Sequence, residues 1–413
     1  MNKLSEMQPV TYSRAHELVL EHARTCHLPG EPVELKNSTG RALADEVTAD
    51  IDYPGADISA MDGYCLCAEL LCGASADKPV TLPAVAGVDA GHHIVEIPAG
   101  SCAYIATGGM LPRGANSVVP VEEVKVSDDS SQVTFFAPVK SGNFVRPRAS
   151  ELKCGDKMIA AGTLITPFVI GQLSTAGQVV VNVVKKPTVA ILTSGDEVLM
   201  QWEKPQPWQV RNSNCAVLRA QVEEAGAIPL ETGIAKDVGD HALELFCRAA
   251  EVGDIIVTSG GISMGRKDPF KQVFARLGIK PVFYGIRIKP GKPVFFGIYK
   301  GKPVFGLPGN QTSTAVTFEL LVRPYIRQVL GLPSERLRLN LELAMPSSND
   351  SKRDFFKRGR IIESDGRLQI QPLESQESHM LSSLAGADVL FLHPAGSDFL
   401  PAGETVRCWL LKG

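Results

Sequence analysis

The sequence predicts a multidomain protein in which α/β and all-β structure stand side by side, and three observations carry that reading. At 413 residues the chain is too long for one hydrophobic core, so roughly two to four domains are expected. Residues 187–330 alternate short apolar runs with amphipathic stretches, the pattern of a largely parallel, doubly wound sheet. Residues 50–147 and the tail from 335 instead carry short β runs between Gly, Pro and Asp turns.

In chain order, residues 11–25 read as a helix that Thr11 or Ser13 can cap, with Ala15, Leu18, Val19 and Ala23 on one face. Residues 29–50 are short and extended, with a turn at Ser38-Thr39-Gly40. Val80–Leu82, Ala103–Ala106, Ser117–Val121 and Val133–Phe136 are the β runs of an inserted all-β segment. Residues 148–183 return to mixed structure, and Thr166-Pro167 opens a helix with proline at its first position. In the α/β stretch, Thr188–Leu192, Ile228–Ile234 and Ile255–Val257 are strands. The helices between and after them are Cys215–Ala225 (ending at Gly226), His241–Ala250, Lys267–Leu277 and a long Ser313–Val329. Val294–Phe296 and Pro303–Phe305 form a hairpin turning at Tyr299–Lys302. Leu337, Leu339, Leu341 and Leu343 alternate cleanly, which reads as a small β-barrel or sandwich.

Composition excludes several classes. A net charge of −3 argues against a nucleic-acid surface or a polybasic membrane anchor. The start has no apolar signal core, and no run of apolar residues is long enough for a membrane span. The nine cysteines contain no CxxC pair for zinc and read as free thiols in a reducing cytoplasm.

The stretch Asp254–Asp268 joins a buried strand to Gly260-Gly261, Ser263 and a polar helix start. Strand, glycine turn and helix aim backbone N–H groups at an anion, at the edge where open α/β sheets hold ligands. The spacing is neither a Walker loop nor a dinucleotide fingerprint, and an ordinary βα turn would use the same glycines. Ser194-Gly195-Asp196-Glu197 follows the first strand of the same sheet, where two carboxylates can ligate Mg²⁺ or simply serve an acidic helix start. Asp268 beside a phosphate loop makes sense with a cation between them, or as a helix cap. Lys289-Pro290-Gly291-Lys292-Pro293 holds two ammonium groups on a stiff turn, a receptor for a compact oxyanion or a solvated basic turn. Gly306-Leu307-Pro308-Gly309-Asn310 leads into a helix that Asn310 can cap and on whose first turn Ser313 stands. Met61-Asp62-Gly63-Tyr64 sits after a Pro-Gly turn, and Arg353 with Arg358 and Ser378-His379 are weak signals alone.

Taken in order, MDGY, the Thr107-Gly108 pair, SGDE, SGGISMG, KPGKP, GLPGN and QESH resemble the molybdopterin molybdenumtransferase family, that of MoeA and the gephyrin E domain. The resemblance covers essentially the whole chain. It implies a cytoplasmic, homodimeric enzyme with its cleft between protomers. The implied reaction is Mg²⁺-dependent insertion of molybdate into adenylylated molybdopterin, with release of AMP. The implied domains are a discontinuous linking domain (1–49 with 148–183), an inserted β-rich domain (50–147), a molybdopterin-binding-like α/β domain (184–330) and a C-terminal small β-barrel (331–413). Carried over residue by residue, Asp62, Asp196, Glu197 and Asp268 are catalytic, and the last three of these serve the metal. Thr107, Ser259, Gly260, Gly261, Ser263, Pro308 and Asn310 bind substrate, and Lys289, Lys292, Ser313, Arg353 and Ser378 surround molybdate. The implied partners are molybdopterin adenylyltransferase and the downstream molybdenum-cofactor enzymes. Departures from the family pattern are Gln311 where proline is usual, Asn212 where aspartate is usual, Glu151 in place of aspartate, and Arg266 at an often acidic position. They define the alternative, a diverged non-catalytic paralogue that binds molybdopterin or scaffolds partners.

Overall fold

A computed structural model describes residues 7–412 apart from 89–90, 92–95, 237–239 and 263–267. Its centre is a six-stranded sheet in the order Ile228–Ala235, Thr188–Ser194, Ile255–Ser259, Lys302–Leu307, Phe295–Tyr299, Lys280–Tyr284. The first four strands are mutually parallel, and the last two join antiparallel through the hairpin. Alternation along each strand explains why helices cover both faces. Val189 and Ile191, with Ile255 and Val257, pack one way against Leu218, Val222 and Ile326. Ala190, Leu192 and Ile256 pack the other way against Phe246, Phe270 and Phe274. Burial on both faces is why the middles of these strands read as apolar runs, with the buried Thr193, Thr258 and Ser259 only at the ends that reach the cleft.

The helices follow their capping chemistry. Thr11 accepts from the Arg14 N–H at 3.3 Å and starts Tyr12–Arg24. Gly226, at φ 99°, ends Ser213–Ala225 in the left-handed region that glycine enters freely. Two expectations need correction. The described helix after the glycine loop runs Pro269–Arg276, so Asp268 stands at its N-cap rather than inside the first turn. The single helix expected over 313–329 is Gln311–Thr317 and Arg323–Val329 joined by a π-helical turn, Phe318–Val322. Pro324 has no N–H to donate four residues back, and the wider turn absorbs that missing bond.

The β-rich segment forms a six-stranded sheet ordered Ser117–Pro120, Gly63–Leu66, Cys102–Ile105, Val80–Val88, Gln132–Phe135, Val124–Val126. Around it, Gly30–Glu34 pairs with Val180–Val184, and Val47–Thr48 with Lys157–Ile159, tying the chain's start to residues beyond the insertion.

The tail is a closed barrel of Arg338–Leu343, Asp354–Ser364, Arg367–Pro372, Val389–His393 and Thr405–Leu410. Leu339, Leu341 and Leu343 face its core, whereas Leu337 precedes the strand and is 63% exposed. The short strand Ile288–Lys289 of the α/β region pairs parallel with Asp354–Ser364, with Lys289 opposite Phe355. Phe356, Leu390 and Trp409 of the barrel share one hydrophobic core with Val19 of the first helix and Ile326 of the α/β region. Among the described residues no helix is long and apolar enough to cross a membrane.

Candidate active site

Three parallel strands end at the same sheet edge, and each hands over to a loop. Thr188–Ser194 leads to Gly195–Glu197, Ile255–Ser259 to Gly260-Gly261, and Lys302–Leu307 to Pro308-Gly309-Asn310. Together they enclose a cleft of about 770 Å³ at the carboxyl edge of the sheet. Of the residues singled out in the sequence, Glu197, Ser259, Gly260, Gly261, Asp268, Pro308, Asn310 and Ser313 line it.

The loops are locked by side chains behind them. The buried Ser259 hydroxyl donates to the Pro308 carbonyl at 3.1 Å and accepts from Asn214 Nδ2 at 2.9 Å. The same Asn214 amide donates to the Gly309 carbonyl at 2.7 Å. Gly260 and Gly261 sit at φ 82° and 66°, conformations strained for any other residue. A Cβ on Gly261 would stand 2.7 Å from Ser194 Oγ, so the loop can lie against the first strand only without side chains. The Gly260 N–H donates to the Leu307 carbonyl at 3.1 Å, so it closes the turn rather than facing a ligand. Ser263, Gly265, Arg266 and Lys267 lie outside the described residues.

The acidic turn Asp196-Glu197 does not start a helix; it leads into the Val198–Leu199 strand. Both residues are exposed, but only Glu197 lines the cleft, because neighbours on a tight turn point apart. Asp268 raises the Tyr284 phenol, an effect second to burial of the ring, and the phenol donates to the Ile262 carbonyl at 2.7 Å. Among the described residues no group of three or more His, Cys, Asp or Glu side chains is gathered to hold a metal. Two cleft carboxylates nonetheless fit Mg²⁺, which takes one or two of them and fills its remaining positions with water and substrate phosphate.

Asp62 and Thr107 form their own pair on the β-rich sheet and do not line this cleft. Asp62 Oδ1 accepts from the Thr107 N–H at 2.7 Å and the Thr107 hydroxyl at 2.8 Å, which holds its carboxyl below the usual carboxylate range.

The lysine turn is not a matched pair. Lys289 Nζ donates to Asp350 at 3.0 Å and lies 4.6 Å from the centre of the Phe355 ring, while Lys292 is exposed. Arg353 donates to the Ile288 carbonyl at 3.2 Å, holding the same short strand. Ser378 reaches the cleft rim, where Asn310 Nδ2 donates to its hydroxyl at 3.0 Å. Asn310 is the helix N-cap by position, yet its side chain is spent on this contact and makes no capping bond. Three residues passed over or weighed lightly in the sequence matter here: Asn214, Lys357 and the fully buried Arg358. Arg358 donates to the Ser375 and Glu377 carbonyls, both at 3.1 Å, and so braces the segment that carries Ser378.

Family models match nearly the whole chain: the MoeA N-terminal region (domain I and II) over 10–177, a probable molybdopterin binding domain over 190–328, and the MoeA C-terminal region (domain IV) over 340–411. A molybdopterin molybdenumtransferase of Nostoc sp. is 33% identical, over 91% of this chain and 87% of that protein. The chain belongs to the MoeA family. The Bacillus subtilis member named molybdopterin molybdenumtransferase is 30% identical over 94% of this chain and 92% of its own length. Two solved structures of the MoeA protein from Pyrococcus horikoshii superpose with TM-scores of 0.81 and 0.83 at 30% and 26% identity. Each covers 98% of this chain and 100% of the solved one, so the MoeA architecture, barrel included, extends over the described fold.

Asn212 does structural work at the wall of the cleft. Asn212 Oδ1 accepts from the Cys215 N–H at 3.1 Å, capping the helix, and its amide donates to Thr193 Oγ1 at 2.8 Å. An aspartate could make both contacts, accepting the threonine proton instead, so asparagine here keeps the cap while adding no charge to the cleft lining. Gln311 donates to Ser213 Oγ at 2.8 Å and ties two helix starts together.

Proposed function

We propose that this MoeA-family chain is a molybdopterin molybdenumtransferase of molybdenum cofactor biosynthesis. It inserts molybdate into adenylylated molybdopterin and releases AMP. The observation that carries this is the three-loop cleft that Glu197, Asp268 and the Ser259–Gly261 loop line together, with that loop's strand between the strands leading to Glu197 and to Pro308. The phosphate end of the substrate lies against Ser259, Gly260 and Gly261, with Pro308 and Asn310 on the neighbouring loop; Ser263, expected to join them, lies outside the described residues. Glu197 and Asp268 offer carboxylate oxygen to Mg²⁺, which when bound neutralises phosphate charge, and Asp196, expected beside them, stands on the same turn outside the cleft lining. Molybdate is received near Lys289, Lys292, Ser313, Arg353 and Ser378.

Asp62 and Thr107 stand apart from the cleft of their own chain. This supports a homodimer in which that pair serves the partner's site. The regions are taken as 1–49 with 148–183 for the linking domain, 50–147 for the β-rich one, 184–330 for the α/β one and 331–413 for the barrel, and the pairing of Gly30–Glu34 with Val180–Val184 supports a discontinuous linking domain. The substrate comes from a molybdopterin adenylyltransferase and the product goes to molybdenum-cofactor enzymes, all in the cytoplasm. The deciding experiment incubates purified protein with adenylylated molybdopterin, molybdate and Mg²⁺. AMP release that needs both additions is expected, and its absence would favour a non-catalytic molybdopterin-binding paralogue.

A further inference from the structure

Strand register gathers two cations on one aromatic ring. Lys289 and His393 are the register partners of Phe355 on its two sides, and Lys357 follows Phe355 by two residues, so all four share one face. Lys289 Nζ lies 4.6 Å and Lys357 Nζ 5.1 Å from the Phe355 ring centre. Lys357 is 7% exposed. Its ammonium donates to Ser347 Oγ at 2.9 Å and to the Ser348 carbonyl at 2.5 Å, which uses two of its three N–H donors. Ser347, accepting from Lys357, gives its own proton to His393 Nδ1 at 3.0 Å, and His393 Nε2 donates to the Ser397 carbonyl at 2.8 Å. The chain of bonds thus fixes a neutral imidazole and aims Lys357 from behind. Burial, then Lys289, push the Lys357 ammonium down to about 8.

Burying an ammonium beside a second one is costly without a compensating anion. The carboxylate facing the pair is Asp350, bonded to Lys289 at 3.0 Å, and its side chain is 83% exposed. An exposed ion pair of this kind is weak and easily exchanged.

We propose that Lys357 is the second cation of the oxyanion site built on Lys289, and that Asp350 holds this site until a tetrahedral dianion of the molybdate class displaces it. This rests on the molybdate reading of Lys289 given above. Lys357 supplies the charge that distinguishes a dianion from a monoanion, while Asp350 sets how readily the site empties of its internal carboxylate.

The test is calorimetric titration of the full chain with molybdate and with perrhenate, an anion of similar shape and single charge. Lys357→Gln is expected to weaken molybdate about 10- to 100-fold, the worth of a charge-assisted hydrogen bond, and perrhenate distinctly less. Asp350→Asn, on an exposed side chain and safe for folding, is expected to tighten molybdate roughly two- to fivefold. Equal losses for the two anions in Lys357→Gln would make Lys357 merely structural and overturn the proposal. Unchanged or weaker binding in Asp350→Asn would overturn it even if Lys357→Gln fails to fold. Lys289→Ala separates the two readings. If it binds molybdate normally, the Lys289 pocket fails and this inference with it. If it binds weakly while Lys357→Gln binds normally, only this inference fails.

Discussion

Asn214 donates one amide group to two loops at once, to Ser259 Oγ at 2.9 Å and to the Gly309 carbonyl at 2.7 Å. A side chain at the start of the Ser213–Ala225 helix therefore sets the spacing between the glycine loop and the Pro308–Asn310 turn. Asn214→Ala removes both bonds and leaves a carbonyl and a hydroxyl short of a donor, at a cost of about 1–3 kcal/mol. The expected result is a lower urea midpoint with unchanged slope, and faster amide exchange at Gly260 and Gly309. An unaltered midpoint would show that water replaces the amide without loss.

Gly261 adopts φ 66° with Ser194 Oγ 2.7 Å from where a Cβ would stand. Gly261→Ala meets a left-handed penalty of roughly 1–2 kcal/mol together with a clash against the neighbouring strand. Chemical denaturation is expected to show the loss, and AMP release to fall with it. Gly278, also left-handed at φ 62° but with open space around its Cβ position, is the control, with the backbone penalty alone.

Asp268→Asn keeps the size of the side chain and removes its charge. Cleavage of the adenylylated substrate is expected to need about tenfold more Mg²⁺, the loss of one charged oxygen ligand. A second readout needs no metal. Burial and then the Asp268 charge hold the Tyr284 phenol above its ordinary range. A negative neighbour disfavours phenolate, so its removal lowers the phenol's titration midpoint. Spectrophotometric titration in which that midpoint stays put would detach Asp268 from Tyr284, and an unchanged Mg²⁺ requirement would remove it from the cation site.

If Asp62 serves the partner's cleft, Asp62→Asn and Asp268→Asn chains are each nearly silent as homodimers when assayed at limiting Mg²⁺, well below what Asp268→Asn requires. Random mixing pairs half of them as heterodimers with one intact site, so roughly a quarter of native activity returns. Mixtures that stay dead after subunit exchange would place Asp62 and Asp268 in the same site or deny the dimer.

The α/β centre was readable because both faces of its strands are buried and its helices carry their own caps. Ile255–Val257 can be nothing but a core strand, and the glycine pair behind it marks the sheet edge where the cleft opens. The barrel was half readable: Leu339, Leu341 and Leu343 declared an inward face, but closure depends on the Asp354–Ser364 strand pairing on both sides, which no local pattern announces. Site geometry was least readable where partners are distant. Lys357 in sequence is one more charged residue on a strand; only the register of three strands brings it to Lys289. Asp62 and Thr107 are 45 residues apart and meet through backbone pairing of Gly63 with Ile105. Two adjacent carboxylates suggested a joint ligand pair, and turn geometry sends just one of them to the cleft lining.

The core shared by Phe356, Leu390 and Trp409 with Ile326 and Val19 bears on how this chain can be cut. A fragment ending near residue 330 would bare an oily scar where the barrel had been, and lose the strand that receives Ile288–Lys289. Such a fragment is expected to aggregate on expression, whereas excision of the β-rich segment removes its own separate clusters and spares this one. Modularity in the gene therefore does not follow the colinear order of the regions. The piece in the middle is the removable one, and the piece at the end is part of the keel.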